Sequence, residues 1–177
     1  ASLGENGRAI LRARPDALAC QAGQRWEWDG VRFQVLHPPA HHYEWPNYPD
    51  NARSCVLRVD AGPASVLLTG DIERLAEMNL RERAQPLAAS VLVVPHHGSS
   101  GSSSAEFLAA AQPRHIVIPV GWRNRYGHPH PETLARYRAL GVPVWRTDRD
   151  GAVTLRLGRD GVAVERARAV EKRYWRE

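Results

Sequence analysis

Val91-Leu-Val-Val-Pro-His-His-Gly-Ser-Ser-Gly-Ser-Ser-Ser104 decides how this chain reads. Val91 to Val94 is an unbroken apolar run, as expected of a strand covered on both faces. Two histidines and a Gly/Ser tract follow, and Ala105 to Ala111 then reads as a short helix. Strand, polar loop and helix make one unit of an α/β layer with parallel strands. The order repeats downstream. Ile116 to Ile118 is a second buried strand, and Glu132 to Leu140 is a helix, opened by Pro131 and stopped by Gly141. Short strands follow at Val142 to Trp145, Ala152 to Leu157 and Gly161 to Glu165, the last two joined by a Gly-Arg-Asp-Gly turn.

Upstream, Val31 to Leu36 alternates apolar and polar residues, as a half-buried strand does. His37 to Pro49 holds four prolines and reads as a long irregular loop whose aromatics need a surface to pack on. Ser54 to Asp60 and Ala64 to Thr69 form a hairpin around Ala61-Gly-Pro63, and Ile72 to about Arg83 has helical apolar spacing. The expected architecture is a mixed α/β layer: a hairpin, a β-α-β-α-β stretch, then a meander. Residues 1–30 read as an irregular lead-in, 31–165 as the folded unit, and 166–177 as a charged, helix-compatible tail.

A length of 177 residues is one domain, or part of a larger one. With 43% hydrophobic and 24% charged residues, the composition excludes a disordered chain, a collagen, a coiled coil and a small disulfide scaffold. No apolar run approaches the roughly 20 residues of a spanning helix. No charged-then-apolar leader opens the sequence, and a start at Ala1 suggests an excised piece. Of 24 basic residues one is lysine, Lys172, which leaves 23 arginines and a net charge of +5. Arginine binds phosphate with a two-pronged fork; a coding bias would give the same count, so only placement decides. Cys20 and Cys55 either form one disulfide in an oxidising compartment or remain two buried thiols.

Four strand-end loops carry chemically capable side chains: Thr69-Gly-Asp71, Pro95 to Ser99, Gly121 to His130, and Thr147-Asp148. In open α/β sheets, ligands gather beyond the strand carboxyl ends. One aspartate and up to four histidines on one rim suit a divalent metal with mixed N/O ligands. Each has a plainer reading: Asp71 as a helix cap, one of His96 and His97 as an ordinary hydrogen-bonded histidine, His130 as a cap. The Gly98–Ser104 tract is either an anion cradle at a helix start or a loop with Ser103 or Ser104 as N-cap. Gly121 to His128 interleaves Arg123 and Arg125 with Trp122 and Tyr126, a mixture suited to single-stranded nucleic acid. Arg53 adds a cation beside Asn51 and Ser54.

Together, Asn51-Ala-Arg-Ser54, Leu67-Leu-Thr-Gly-Asp71, Val93-Val-Pro-His-His-Gly-Ser99, Asn124-Arg-Tyr-Gly-His-Pro129 and Arg146-Thr147 resemble the metallo-β-lactamase-like domain at the carboxyl end of ComEC-type DNA internalisation (competence) proteins. The resemblance runs from about residue 31 to 157. It implies an αββα sandwich with a metal centre, zinc or manganese, between two sheets. It implies Asp71 and His96 or His97 as metal ligands, and Asn51, Asn124 and His128 in the catalytic cleft, with His128 as proton donor. Ser54, Ser99, Arg53, Arg123, Arg125 and Tyr126 would face DNA. It further implies nuclease action on the strand that is not imported, single-stranded DNA and the protein's own membrane channel as partners, and an inner-membrane protein with this domain on the extracytoplasmic side.

One departure is serious. The fold's first metal motif, a His-x-His/Asp-x-Asp-His cluster, is absent, because no histidine precedes His37. The chain therefore reads as mainly the second half of that domain, with an incomplete metal site, weak or no activity alone, and an edge open to dimerisation. Two other classes compete: a non-catalytic DNA-guiding module, and a metallohydrolase of a small ester or lactone. A Ser-His-Asp hydrolase lacks its Gly-x-Ser-x-Gly elbow.

Overall fold

The computed structural model describes residues 16–170, together with residues 9 and 12–14. Seven strands form one sheet in sequence order: β1 (Arg25–Trp28), β2 (Val31–His37), β3 (Val56–Ala61), β4 (Ala64–Leu68), β5 (Val91–Val93), β6 (His115–Ile118) and β7 (Val144–Arg146). β1 to β4 run antiparallel to their neighbours. β4 to β7 run parallel, with Leu68 opposite Val93, Val93 opposite Val117, and Ile118 opposite Arg146. β8 (Val153–Gly158) and β9 (Gly161–Arg166) make a separate hairpin.

Parallel strands need crossovers, and three helices supply them. They are α1 (Arg74–Glu82), α2 (Ala105–Ala111) and α3 (Pro131–Ala139). Ala76 and Leu80 of α1, Phe107, Leu108 and Ala111 of α2, and Tyr137 of α3 close over Leu36, Val56, Leu67, Leu92, Ile116 and Ile118 of the sheet. One-turn helices α4 (Thr147–Asp150) and α5 (Ala167–Val170) complete the chain.

One carboxylate of α1 shows how the Gly/Ser tract is used. Glu77 is 1% exposed. It accepts the amide of Ser104 at 2.9 Å and that of Ser103. Ser104 caps α2, accepting the Phe107 amide at 3.2 Å. The expected anion cradle is therefore filled by the protein's own carboxylate, because these orphan donors at a helix start need a buried partner.

The expected element order stands, with two corrections. Residues 25–28 are a strand where an irregular lead-in was expected. Asp29 and Gly30 both take positive φ, 49° and 77°, the geometry of a tight Asp-Gly hairpin turn. Trp26 stacks on Phe33 across that hairpin at 5.0 Å. The folded unit thus begins before residue 31, and Cys20 is joined to it by a disulfide with Cys55. Second, the proline-rich segment is ordered: Ala40–Tyr43 makes a turn, and His37 and His42 are buried. The described residues form one mixed seven-stranded sheet and a separate two-stranded sheet, an arrangement compatible with an α/β sandwich. Of the expected tail, Arg166 ends β9 and 167–170 form α5; 171–177 lie outside the described residues.

Candidate active site

Four parallel strands put their carboxyl ends on one rim, so the four loops singled out in the sequence meet there. They are stitched together along the edge. Thr69 Oγ1 donates to Val93 O at 2.7 Å, the His96 amide donates to Gly70 O at 3.0 Å, and the Val120 amide donates to Thr147 Oγ1 at 2.7 Å.

His96 and His97 do not continue β5. Both adopt left-handed backbone, with φ 48° and 54°. Successive non-glycine residues in that region cost about 1–2 kcal/mol each, and such strain gathers at functional sites. The turn is locked by Gly98, where an added Cβ would lie 2.8 Å from the Cβ of Pro129. Neither imidazole enters the core: the side chains are 25% and 48% exposed, and both rings are hydrogen-bonded, as the plainer reading expected of one of them.

Each of these rings is anchored through Nδ1. His97 Nδ1 lies 2.7 Å from Pro119 O. A carbonyl only accepts, so Nδ1 carries the proton and the neutral ring keeps its lone pair on Nε2. His96 Nδ1 lies 2.8 Å from Glu73 Oε1. Histidines that bind metals are commonly oriented in this way, by a carbonyl or carboxylate on the far nitrogen. His97 Nε2 is 3.6 Å from Asp71 Oδ1. Two donors sharing one tetrahedral zinc stand ~3.4 Å apart. The pair therefore fits two positions of one cation. It supplies no more: among the described residues, no three His, Cys, Asp or Glu side chains are grouped to hold a metal ion.

His128 completes the cluster. Its ring centroid is 5.7 Å from that of His96, 6.5 Å from that of His97 and 6.0 Å from that of Tyr126. Burial first, then the neighbouring imidazoles of His96, His97 and His130, push its pKa below the ordinary histidine value, against a smaller opposite pull from Asp71. That favours the neutral ring over the charged one. A groove of about 470 Å³ is lined by His97, Pro119, Asn124, Tyr126, His128 and Thr147, among others.

The other expected residues divide. Ser54 reaches the rim, its Oγ accepting the Asp71 amide at 3.2 Å. Asn51 opens the short turn before it, its carbonyl accepting the Ser54 amide at 3.0 Å. Asn124 is a loop clamp: Nδ2 donates to His128 O at 2.7 Å, and Oδ1 accepts the His128 amide at 2.9 Å. Arg123 and Arg125 are exposed, beside Trp122 at 5.8 Å and Tyr126 at 4.9 Å from the ring centroids. Arg53 is a correction. It is 8% exposed, donates to the carbonyls of His42 and Trp45, and stands over Tyr48, so it braces the proline-rich loop rather than meeting a phosphate. Ser99 is 6% exposed, too buried for a DNA contact; its carbonyl accepts Thr133 Oγ1 at 3.0 Å. Asp148 is held by Arg146 at 2.6 Å. His130 stands at the N-cap position of α3, as its plainer reading had it, with no side-chain capping bond. The sequence reading missed Glu73; its signal was a carboxylate two residues after Asp71, at the start of a helix.

Fold and rim define an α/β domain with a histidine- and aspartate-bearing strand-end site. No family model matches the chain. The chain is homologous to a segment of bacterial competence proteins. It is 45% identical over 157 residues to Competence protein ComA of Neisseria gonorrhoeae, covering 88% of this chain and 22% of that protein. It is 37% identical to ComE operon protein 3 of Bacillus subtilis, covering 84% of this chain and 19% of that protein. It is 34% identical to Recombination protein 2 of Haemophilus influenzae, covering 84% of this chain and 18% of that protein. The chain thus spans about a fifth of the length of the curated relatives it matches. No helix among the described residues is long and apolar enough to cross a membrane.

Proposed function

We propose that this chain is the second half of a metallo-β-lactamase-like domain in a ComEC-type DNA-uptake protein, and that its rim cuts the DNA strand that is not imported. The observation that carries this reading is the Asp71–His97 pair, two donors 3.6 Å apart with the far nitrogen of His97 already committed to Pro119 O. The remaining ligands come from outside the rim seen here, in the intact protein. A bound zinc or manganese ion would supply Lewis acidity and lower the pKa of water. The chain's own residues do the rest. Asp71 and His97 hold two positions, with His96 beside them. His128, kept neutral, accepts a proton. Arg123 and Arg125, with Trp122 and Tyr126, hold the flanking strand.

The domain sits on the extracytoplasmic face of an inner-membrane protein, next to the channel segments of the same chain. The Cys20–Cys55 disulfide supports this, since such bonds persist in oxidising compartments. The competence names of the relatives support DNA over a small ester or lactone as substrate. A non-catalytic guiding module is the second reading, favoured by the exposure of Trp122 and Tyr126, 65% and 66%.

The test is cleavage of end-labelled duplex DNA by the intact parent with added manganese or zinc, with and without chelator. Degradation of one strand, lost on chelation, is expected. Tight, chelator-insensitive single-strand binding without cleavage would favour the guiding module.

A further inference from the structure

Helix α1 begins three residues after Asp71; Glu73 stands at its N-cap and Glu77 in its first turn. Both dock on the Gly98–Ser104 loop. Glu77 holds the loop from beneath through the Ser103 and Ser104 amides. Glu73 lies over Gly101, where an added Cβ would stand 3.5 Å from its Cδ. The Arg74 amide donates to Gly101 O at 3.0 Å, so the Glu73 backbone and side chain are pinned on the same glycine. From there Oε1 reaches His96 Nδ1 at 2.8 Å. The His96 carbonyl in turn accepts the Ser99 amide at 2.9 Å, which closes the same loop.

We infer that Glu73 is a positioning residue for His96. It fixes the proton on Nδ1 and leaves the Nε2 lone pair for the rim shared with Asp71, His97 and His128. The inference rests on the metal-site reading above, but it concerns the ring itself and is measured without DNA. An ionised carboxylate only accepts, so the contact permits one neutral tautomer. Free histidine side chains favour the opposite one, with the proton on Nε2. The Gly/Ser tract acquires a role other than phosphate binding: it is the floor that sets Glu73 and Glu77.

The experiment is nitrogen-15 NMR of the imidazoles in the full chain at pH 8. In the native chain His96 should show a protonated Nδ1 and a bare Nε2. Glu73→Ala should turn the ring population towards the Nε2-protonated form, with His97 unchanged. Glu73→Gln, whose amide oxygen can still accept, should restore the native pattern. Amide spectra of each variant establish that the chain is folded. Zinc titration should show about tenfold weaker binding in Glu73→Ala, the usual scale for removal of an orienting partner. A native His96 tautomer in folded Glu73→Ala would overturn the assignment. A shifted tautomer alongside undiminished DNA cleavage by the same variant of the intact parent would uphold the assignment and count against the hydrolytic reading of the rim.

Discussion

His97 Nε2 faces Asp71 Oδ1 across 3.6 Å, although 26 positions separate the two residues in sequence. β4 and β5 run side by side, and each ends in a loop at the same edge. Thr69 Oγ1 on Val93 O and the His96 amide on Gly70 O hold those two loops in register. The pair is therefore a property of the parallel sheet, and its chemistry follows from where parallel strands end.

The Cys20–Cys55 bond closes a loop of 35 residues and reaches within one residue of Ser54, which holds the Asp71 amide. Loop-closure entropy for that length is about 4 kcal/mol. Reduction, or Cys20→Ala with Cys55→Ala, should lower Tm by at least several degrees in a thermal melt. An unchanged Tm would show that the bond constrains nothing.

His42 is 2% exposed, and burial, then His37, His41 and the guanidinium groups of Arg83 and Arg53, lower its pKa to about 4. A histidine that stays neutral when folded takes up its proton on unfolding. Its contribution to stability is therefore complete above pH 6.5 and is lost as pH falls from there towards about 4. Tm should fall across that window, and His42→Phe should flatten the slope. An equal slope in both proteins would contradict the assignment.

The arginines should separate by location. Arg123→Ala with Arg125→Ala should weaken single-strand binding and reduce the salt slope by about 1.4, at roughly 0.7 for each phosphate no longer neutralised. Thermal stability should hardly move. Arg53→Ala should do the reverse, lowering Tm because it orphans the His42 and Trp45 carbonyls while leaving the salt slope unchanged. Fluorescence titration at several salt concentrations, paired with melts, reads both.

These contrasts mark how far the sequence could be read. Strands β2 to β9 and helices α1 to α3 were legible because apolar runs, Pro131 at a helix start and Gly141 after a helix end act locally. The rim was legible because parallel strands put their loops at one edge. β1 was missed because its two tryptophans and the Asp29-Gly30 turn lie in a glycine-punctuated stretch with little else to mark it. Arg53 and Ser99 were misassigned because burial depends on what packs over a residue, here the 42–50 loop and α3. The roles of Glu73 and Glu77 were hidden because both act through a loop that follows them by more than twenty residues.

The central claim is that Asp71 and His97 are half of a catalytic metal centre. The most direct measurement compares metal-dependent cleavage of end-labelled DNA by the intact parent and by its Asp71→Asn variant, with bound metal determined in parallel. Asp71→Asn keeps the shape and removes the charge. The account predicts loss of at least 100-fold in cleavage together with loss of metal. Native cleavage with native metal content in that variant would contradict it.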